Sequence, residues 1–329
     1  MKIGIDVMGG DFAPKAVLEG VLALKQENPN FLLEGQTFEL VLIGKKEEIA
    51  HFFAEKNEES ACYSIIDASE VIEMGDSPVK SLVEKKNSSI VIGLSLLAQK
   101  GIDAFASAGN TGAMLAGAYK LIGNVQGVIR PSLVSLLPKT DGRQNIVLDV
   151  GANTDCRADV LAQFAKLGNI YAKEVFKITQ PKIALLNIGE EESKGTPLIR
   201  ETYRMLQDDK NLNFIGNIEG RDLYNGHQDV TICDGFVGNI VLKQTEAFYH
   251  LLEDKNLQHI DPYFEGFNFE NYGGTVILGL KAPVIIGHGI SGAKAIKNML
   301  LFAAQVVKSG LCQKVEQAFL HELPVENKP

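Results

Sequence analysis

The sequence has no tryptophan and only four cysteines among its 329 residues. Cys62, Cys156, Cys233 and Cys312 lie far apart and form no C-x-x-C pair. This spacing argues against a zinc cluster and against a disulfide scaffold. We therefore expect reduced thiols, as in a cytoplasmic protein.

A basic excess and a long apolar run are also missing. The 32 basic and 41 acidic residues give a net charge of −9, which disfavours nucleic acid as a partner. No apolar run reaches the roughly 18 residues that span a bilayer, and Asp6 and Asp11 interrupt any signal-peptide core. Backbone amides carry no formal charge, so a small anion remains a suitable ligand.

One nucleotide-binding signature and one hydrolase signature are absent as well. The sequence contains neither G-x-x-x-x-G-K-[ST] nor G-x-S-x-G, so a P-loop and a hydrolase triad are unsupported. Gly287-x-Gly289-x-x-Gly292 does match the dinucleotide fingerprint. That fingerprint needs another strand ending in an acid roughly 20 residues later, whereas the next acid, Glu316, lies in a helical pattern. We expect no cofactor and no metal.

What is present is a regular alternation of short apolar runs with amphipathic segments, which predicts a mainly parallel sheet covered by helices on both faces. Ligands bind such sheets beyond the carboxyl ends of the strands. The predicted strands are residues 2–7, 38–43, 63–67, 104–107, 145–149, 182–187, 214–216, 230–233 and 283–287. The predicted helices are 15–26, 46–56, 78–85, 89–100, 113–121, a long helix from 157, 198–207, 235–250 and 291–308.

Four glycine-rich turns connect a predicted strand to a helix: residues 8–11, 107–112, 234–239 and 287–292. Glycine lets the backbone approach a ligand, and the helix start offers unpaired N–H groups to an anion. Any one turn is equally well explained as a tight connection with an ordinary helix cap. The candidate phosphate or substrate ligands are Gly9, Gly10, Asp11, Asn110, Thr111, Gly112, Asn153, Gly235, Asn239 and Lys281.

The candidate catalytic residues are Lys194, His288 and Asp234. Lys194 follows a strand beside Gly195 and could bind an oxyanion, although an acidic run nearby is also typical of a solvated loop. His288 lies inside a glycine turn. Asp234, like Asp149, ends a strand, where an acid either orients a catalytic group or caps the next helix. Cys156 and Cys233 are weaker candidates, because nothing nearby in sequence activates either thiol.

Short motifs follow one another along nearly the whole chain. They are residues 6–14 (DVMGGDFAP), 85–89 (KKNSS), 107–113 (SAGNTGA), 148–153 (LDVGAN), 186–189 (LNIG), 214–222 (FIGNIEGRD), 234–239 (DGFVGN), 271–274 (NYGG) and 279–284 (GLKAPV). In this order they resemble the PlsX phosphate acyltransferase family.

The resemblance implies a three-layer αβα fold with a mixed, mainly parallel sheet, as in phosphate acetyltransferases and isocitrate/isopropylmalate dehydrogenases. It implies transfer of an acyl group from acyl carrier protein to inorganic phosphate, for phospholipid (phosphatidic acid) synthesis. It further implies a homodimer in the cytoplasm or at the inner face of the membrane, with glycerol-3-phosphate acyltransferase as functional partner. Alternatives are a non-catalytic protein that binds acyl carrier or a lipid precursor, and a dehydrogenase.

The expected organisation is one catalytic unit, residues 1–329, of two intertwined α/β lobes. Residues 243–271 form a predicted interface or membrane-facing insertion, shortened relative to the family, and 324–329 a frayed tail. In the expected mechanism, phosphate is held at Gly10–Asp11, Asn110–Thr111 and the turn at 235–239, and its oxygen attacks the thioester. Lys194 balances the charge of the phosphate, and His288 moves a proton or holds the phosphate.

Overall fold

The computed structural model describes residues 1–257 and 261–322. Its strands are β1 (Lys2–Asp6), β2 (Leu32–Leu33), β3 (Gln36–Thr37), β4 (Glu39–Gly44), β5 (Ser64–Asp67), β6 (Ala104–Ser107), β7 (Ser132–Pro138), β8 (Gln144–Leu148), β9 (Lys182–Leu186), β10 (Asn213–Ile218), β11 (Val230–Ile232), β12 (Thr275–Leu278) and β13 (Val284–Ile286). Its α-helices are α1 (Lys15–Glu27), α2 (Lys46–Glu55), α3 (Pro78–Glu84), α4 (Ser89–Ala98), α5 (Thr111–Leu121), α6 (Ala158–Glu174), α7 (Pro197–Asp208), α8 (Gly235–Asp254), α9 (Ala293–Ser309) and α10 (Leu311–Glu322).

The chain divides into two compact units, each with its own set of paired strands. The first unit combines Met1–Gly123 with Phe269–Cys312, and the second contains Asn124–Asn268 and residues 313–322 of the described chain. The predicted frayed tail, residues 324–329, lies outside the described residues, as do residues 258–260 of the predicted insertion.

In the first unit the strand order is β12-β13-β6-β1-β4-β5. The pairs from β13 to β5 are parallel, and β12 is antiparallel to β13. Residues Ile3–Asp6 of β1 are all buried, so both faces of this strand are covered. Helices α4 and α9 supply this cover by packing on β1 and β6. Continuous apolar strands of this kind are typical of a sheet layered between helices.

In the second unit the strand order is β10-β9-β11-β8-β7, with β7 antiparallel to β8 and the other pairs parallel. Helix α6 packs on β8 and β11. Its buried side chains recur every three or four residues, from Val160 and Leu161 to Phe164 and Leu167. This spacing gives the helix one apolar face for the sheet.

The mixed, mainly parallel, three-layer fold confirms the predicted class. All nine predicted strands and all nine predicted helices are present, most with ends shifted by one or two residues. Strands β7 and β12 and the β2–β3 hairpin were not predicted. Within the described ranges, no helix is long and apolar enough to cross a membrane.

Candidate active site

Three of the four predicted turns lie side by side in the first unit. They follow β1, β6 and β13, which are adjacent parallel strands, so their carboxyl ends share one edge. The Asp11 N–H donates to the Gly289 carbonyl at 2.8 Å, and the Gly287 N–H donates to the Ser107 carbonyl at 2.8 Å. We call residues 8–12, 107–112 and 287–292 the first-unit edge.

The buried carboxylate of Asp6 organises this edge. It accepts hydrogen bonds from the Met8 N–H at 3.0 Å and from the Ser107 hydroxyl at 2.7 Å. The Ser107 oxygen in turn accepts from the Gly109 N–H at 2.9 Å. Burial raises the pKa of Asp6, while the hydrogen bonds from serine hydroxyls and backbone amides oppose the rise. One carboxylate therefore fixes two glycine turns.

Glycine is required at the first turn for two reasons. A Cβ on Gly9 would lie 2.5 Å from the Asp6 carboxylate and 2.8 Å from the Gly109 nitrogen. Gly10 has φ +108°, and a Cβ there would lie 3.1 Å from the Gly289 carbonyl oxygen. The close approach and the left-handed backbone explain both glycines without a ligand.

Helix α5 begins at this edge, and its N-terminus is capped only in part. The Asn110 side chain caps it by accepting from the Ala113 N–H at 2.9 Å. Its amide nitrogen donates to the carbonyls of residues 73, 74 and 76 at 3.1 Å each. The Asn110 amide is thus engaged structurally. The Thr111 and Gly112 N–H groups have no partner in the described part of the chain, and they suit an anion.

His288 also lies at this edge, with its ring held from two sides. Its Nδ1 accepts from the Ile290 N–H at 3.4 Å, and its ring is tilted by 35° against Phe269, with 5.1 Å between centroids. Because Nδ1 accepts, the neutral imidazole carries its hydrogen on Nε2. The His288 imidazole is therefore held at the first-unit edge with a defined tautomer.

Lys281 lies at the other end of β13. It precedes the strand, whereas His288 follows it, and its N–H donates to the Gly123 carbonyl at 3.1 Å, just beyond the carboxyl end of α5. The structure therefore does not bring Lys281 to the first-unit edge.

The second unit has a corresponding edge at the carboxyl ends of β8, β11 and β9. The buried Asp149 accepts from the Leu133 N–H at 2.8 Å and from the Asn153 N–H at 2.6 Å. The Asn153 side-chain amide donates to Asp149 at 3.0 Å and to the Pro131 carbonyl at 2.8 Å. Burial raises the pKa of Asp149, and these donors oppose the rise. Like the Asn110 amide, the Asn153 amide is therefore already hydrogen-bonded within the protein.

The N-terminus of α8 is largely closed by the protein itself. The Gly235 N–H donates to the Asn153 carbonyl at 2.7 Å, and the Val237 N–H donates to the Asp234 carboxylate at 2.8 Å. Asp234 is therefore a helix cap, one of the two roles that its position predicted. Asn239 is exposed next to the Gly151 backbone, and its amide makes no hydrogen bond to any described residue.

Lys194 follows β9 in an exposed loop whose shape is fixed. The Asn187 amide donates to the Lys194 carbonyl at 3.3 Å, and Gly195, at φ +85°, lies against the same amide. Among the described residues, no carboxylate pairs with the Lys194 ammonium. The loop therefore presents an available cation at the second-unit edge.

The buried thiols are poor nucleophiles. Burial raises the pKa of Cys156 to about 11 and that of Cys233 well above its ordinary value, and nearby carboxylates add to both shifts. Both thiols stay protonated at neutral pH. No cluster of three or more acidic, histidine or cysteine side chains suited to a metal occurs in the described ranges.

Sequence reasoning missed the supporting residues Ser107, Asn187 and Phe269. Ser107 and Asn187 were visible as polar residues ending apolar strands, which is the available signal. Phe269 gave no local signal, because its partner His288 is distant in sequence.

Comparison with known proteins decides the family. The family model described as "Fatty acid synthesis protein" matches residues 1–314. The chain belongs to this family. A "Phosphate acyltransferase" of Dictyoglomus thermophilum is 41% identical, with 96% of each chain covered. One of Caldicellulosiruptor saccharolyticus is 39% identical, covering 99% of this chain and 100% of the relative. The chain is accordingly an acyltransferase that uses phosphate.

Solved structures support the fold. A phosphotransacetylase from Streptococcus pyogenes has a TM-score of 0.66 at 18% identity, with 94% of each chain covered. A branched-chain phosphotransacylase from Enterococcus faecalis has a TM-score of 0.63 at 17% identity, covering 93% of this chain and 99% of the other. At such identities these similarities concern the fold alone.

Proposed function

We propose that this enzyme converts acyl-[acyl carrier protein] and inorganic phosphate to acyl phosphate and free carrier protein, for phospholipid synthesis. The observation that carries the proposal is the family match over residues 1–314. An acyl phosphate is an activated acyl donor, which fits delivery to a glycerol-3-phosphate acyltransferase as functional partner.

The reaction proceeds by direct attack. An oxygen of hydrogen phosphate bonds to the thioester carbonyl carbon, the carbon–sulfur bond breaks, and the phosphate proton passes to the leaving sulfur. Phosphate is itself a competent nucleophile, so positioning and charge stabilisation supply the catalysis. The raised thiol pKa values of Cys156 and Cys233 argue against a covalent enzyme intermediate.

Lys194 is the proposed counter-charge for phosphate. It is exposed, has no carboxylate partner among the described residues, and stands in a loop fixed by Asn187. A positioned, unpaired ammonium attracts a phosphate dianion more strongly than one already paired with an acid. Asn239, whose amide is exposed, is the proposed second polar contact in this unit.

His288 is the proposed proton carrier. The Nδ1 bond from Ile290 leaves the hydrogen on Nε2, where it can be given to the departing sulfur and replaced from phosphate. The open N–H groups of Thr111 and Gly112 are proposed anion donors at the same edge. Gly9, Gly10 and Asp11 shape this edge through their backbone.

We also propose a cytoplasmic homodimer that works at the inner face of the membrane. Supporting this, one face of α8 carries Phe236, Ile240, Phe248 and Leu251, each more than half exposed. A contiguous exposed apolar face favours a partner surface. This face includes part of the predicted insertion, residues 243–271.

One assay tests the proposed reaction. Purified enzyme is mixed with palmitoyl-[acyl carrier protein] and phosphate, and acyl phosphate is trapped with hydroxylamine while free carrier thiol is counted. Equal, phosphate-dependent formation of both products is expected. Carrier binding without turnover would instead favour the non-catalytic alternative.

A further inference from the structure

The segment 269–274 contains the Asn-Tyr-Gly-Gly motif, which has no part in the reaction as proposed so far. It begins with a short 3-10 turn, Phe269–Asn271, and leads into β12. In the first unit this turn packs against α9. The segment therefore joins a helix to the edge where His288 lies.

Two contacts fix the segment on α9. The Asn298 amide donates to the Glu270 carbonyl at 2.8 Å. Gly273 has φ +76°, and a Cβ there would overlap the Met299 nitrogen and approach the Ala295 carbonyl to 2.6 Å. The backbone of the segment thus lies directly on the backbone of the helix, and helix α9 determines its position.

The fixed segment places the Phe269 ring against the His288 ring. Their centroids are 5.1 Å apart and their planes are tilted by 35°, within the range of favourable aromatic contacts. A hydrogen bond also constrains the ring, because His288 Nδ1 accepts from the Ile290 N–H. The phenyl ring limits the orientation of the imidazole, and the backbone N–H selects its tautomer.

We propose that Phe269 is a positioning residue that holds His288 in the orientation required for proton transfer. Segment 269–274 fixes Phe269 by packing on α9. This inference rests on the proposed function, in which His288 carries the proton. It gives the Asn-Tyr-Gly-Gly motif a role: its Gly273 allows the close approach that sets Phe269 in place.

The test uses the full-length chain and the variants Phe269→Leu and Phe269→Tyr. Leucine keeps an apolar side chain but removes the ring, so kcat should fall about tenfold to a hundredfold, within what general acid–base catalysis contributes. KM for both substrates should stay within about twofold, because binding groups are untouched. Tyrosine restores the ring and should restore most of kcat.

The matched control is Phe264→Leu. Phe264 is another partly buried phenylalanine in a 3-10 turn, and its ring packs on Tyr263 and Phe267. Its loss should leave kcat unchanged. In a His288→Ala background, Phe269→Leu should have no further effect on kcat. Equal losses from Phe269→Leu in both backgrounds would overturn the proposal.

A second readout does not depend on turnover. With labelled histidine, the six histidine ring signals are recorded by NMR, and His288→Ala identifies the His288 signal. Phe269→Leu should shift that signal, while Phe264→Leu should not. An unmoved signal would overturn the positioning role. Absence of acyl phosphate with wild-type enzyme would contradict the proposed reaction alone. Full activity of His288→Ala would remove the catalytic role of His288 and with it the positioning role of Phe269.

Discussion

The Ser107 hydroxyl lies 2.7 Å from the Asp6 carboxylate and joins the end of β6 to the end of β1. Asp149 makes a comparable junction in the second unit, where its carboxylate accepts from the Leu133 and Asn153 N–H groups. In each unit a buried carboxylate beside a strand end fixes the neighbouring turn. Preorganised donors and turns are what an acyl transfer needs.

Removing the Ser107 hydroxyl should weaken both the fold and the reaction. Ser107→Ala leaves the buried Asp6 carboxylate short of a donor and the Gly109 N–H short of an acceptor. We expect the free energy of unfolding to fall by about 1–3 kcal/mol, measured by urea denaturation, and kcat to fall as well.

The control is Ser95→Ala. The Ser95 hydroxyl also donates at 2.7 Å, but to a helix carbonyl, that of Val91. Because that carbonyl is already part of the helix, a change of at most about 0.5 kcal/mol is expected. A loss as large as that of Ser107→Ala would contradict the special role of the Asp6 bond.

Lys194→Ala should raise KM for phosphate and lower kcat/KM by roughly 10²–10³, the loss expected when one preorganised charge donor is removed. Lys210→Ala is the control, since Lys210 is an exposed lysine of the same unit that precedes β10 rather than following a strand. Steady-state kinetics at varied phosphate measures both. Near wild-type kinetics in a folded Lys194→Ala protein would exclude the proposed role.

Gly10→Ala should combine backbone strain with crowding. Gly10 has φ +108° and faces the Gly289 carbonyl, while Gly35, at φ +84°, has open space around it. Gly35→Ala should lower the free energy of unfolding by about 1–2 kcal/mol, from backbone strain alone. Gly10→Ala should lower the free energy of unfolding by more than this and also reduce turnover, because the first-unit edge must shift. Equal losses of stability in the two variants, with unchanged turnover for Gly10→Ala, would contradict this role of Gly10.

Alkaline pH should destabilise the protein partly through Cys156. Burial raises the pKa of its thiol from 9.0 to about 11. Between these values the unfolded chain loses the proton that the native state keeps, so the free energy of unfolding falls as pH rises. Urea titrations at about pH 8 and about pH 10 should show a smaller loss for Cys156→Ala than for wild type.

Local pattern was sufficient for most of the fold, because apolar alternation and capping residues act over a few positions. It failed at β12, whose short run Thr275–Leu278 pairs antiparallel with β13. It also failed at β7, which ends at Pro138. Antiparallel partners break the strand–helix rhythm on which the prediction relied.

The candidate site shows the same limit at the level of single side chains. Asn110 and Asn153 have the sequence context of anion ligands, yet their amides bind loop carbonyls and a carboxylate. The partners of Asn110 lie 34 to 37 residues earlier in the chain. Only three-dimensional contacts reveal which amides are already occupied. Lys194 and His288 remain predictions made from their positions at strand ends.

The division of the first unit into two separate segments has a consequence for synthesis. Strands β1 and β6 are synthesised before the second unit, whereas β13, α9 and His288 belong to the later segment, Phe269–Cys312. All of Asn124–Asn268 is made in between. A nascent chain that stops after α8 can therefore complete the strands of the second unit while the turns at 8–12 and 107–112 still lack the third turn of the first-unit edge, residues 287–292. The edge that carries His288 is therefore completed only after residues 124–254 have been synthesised.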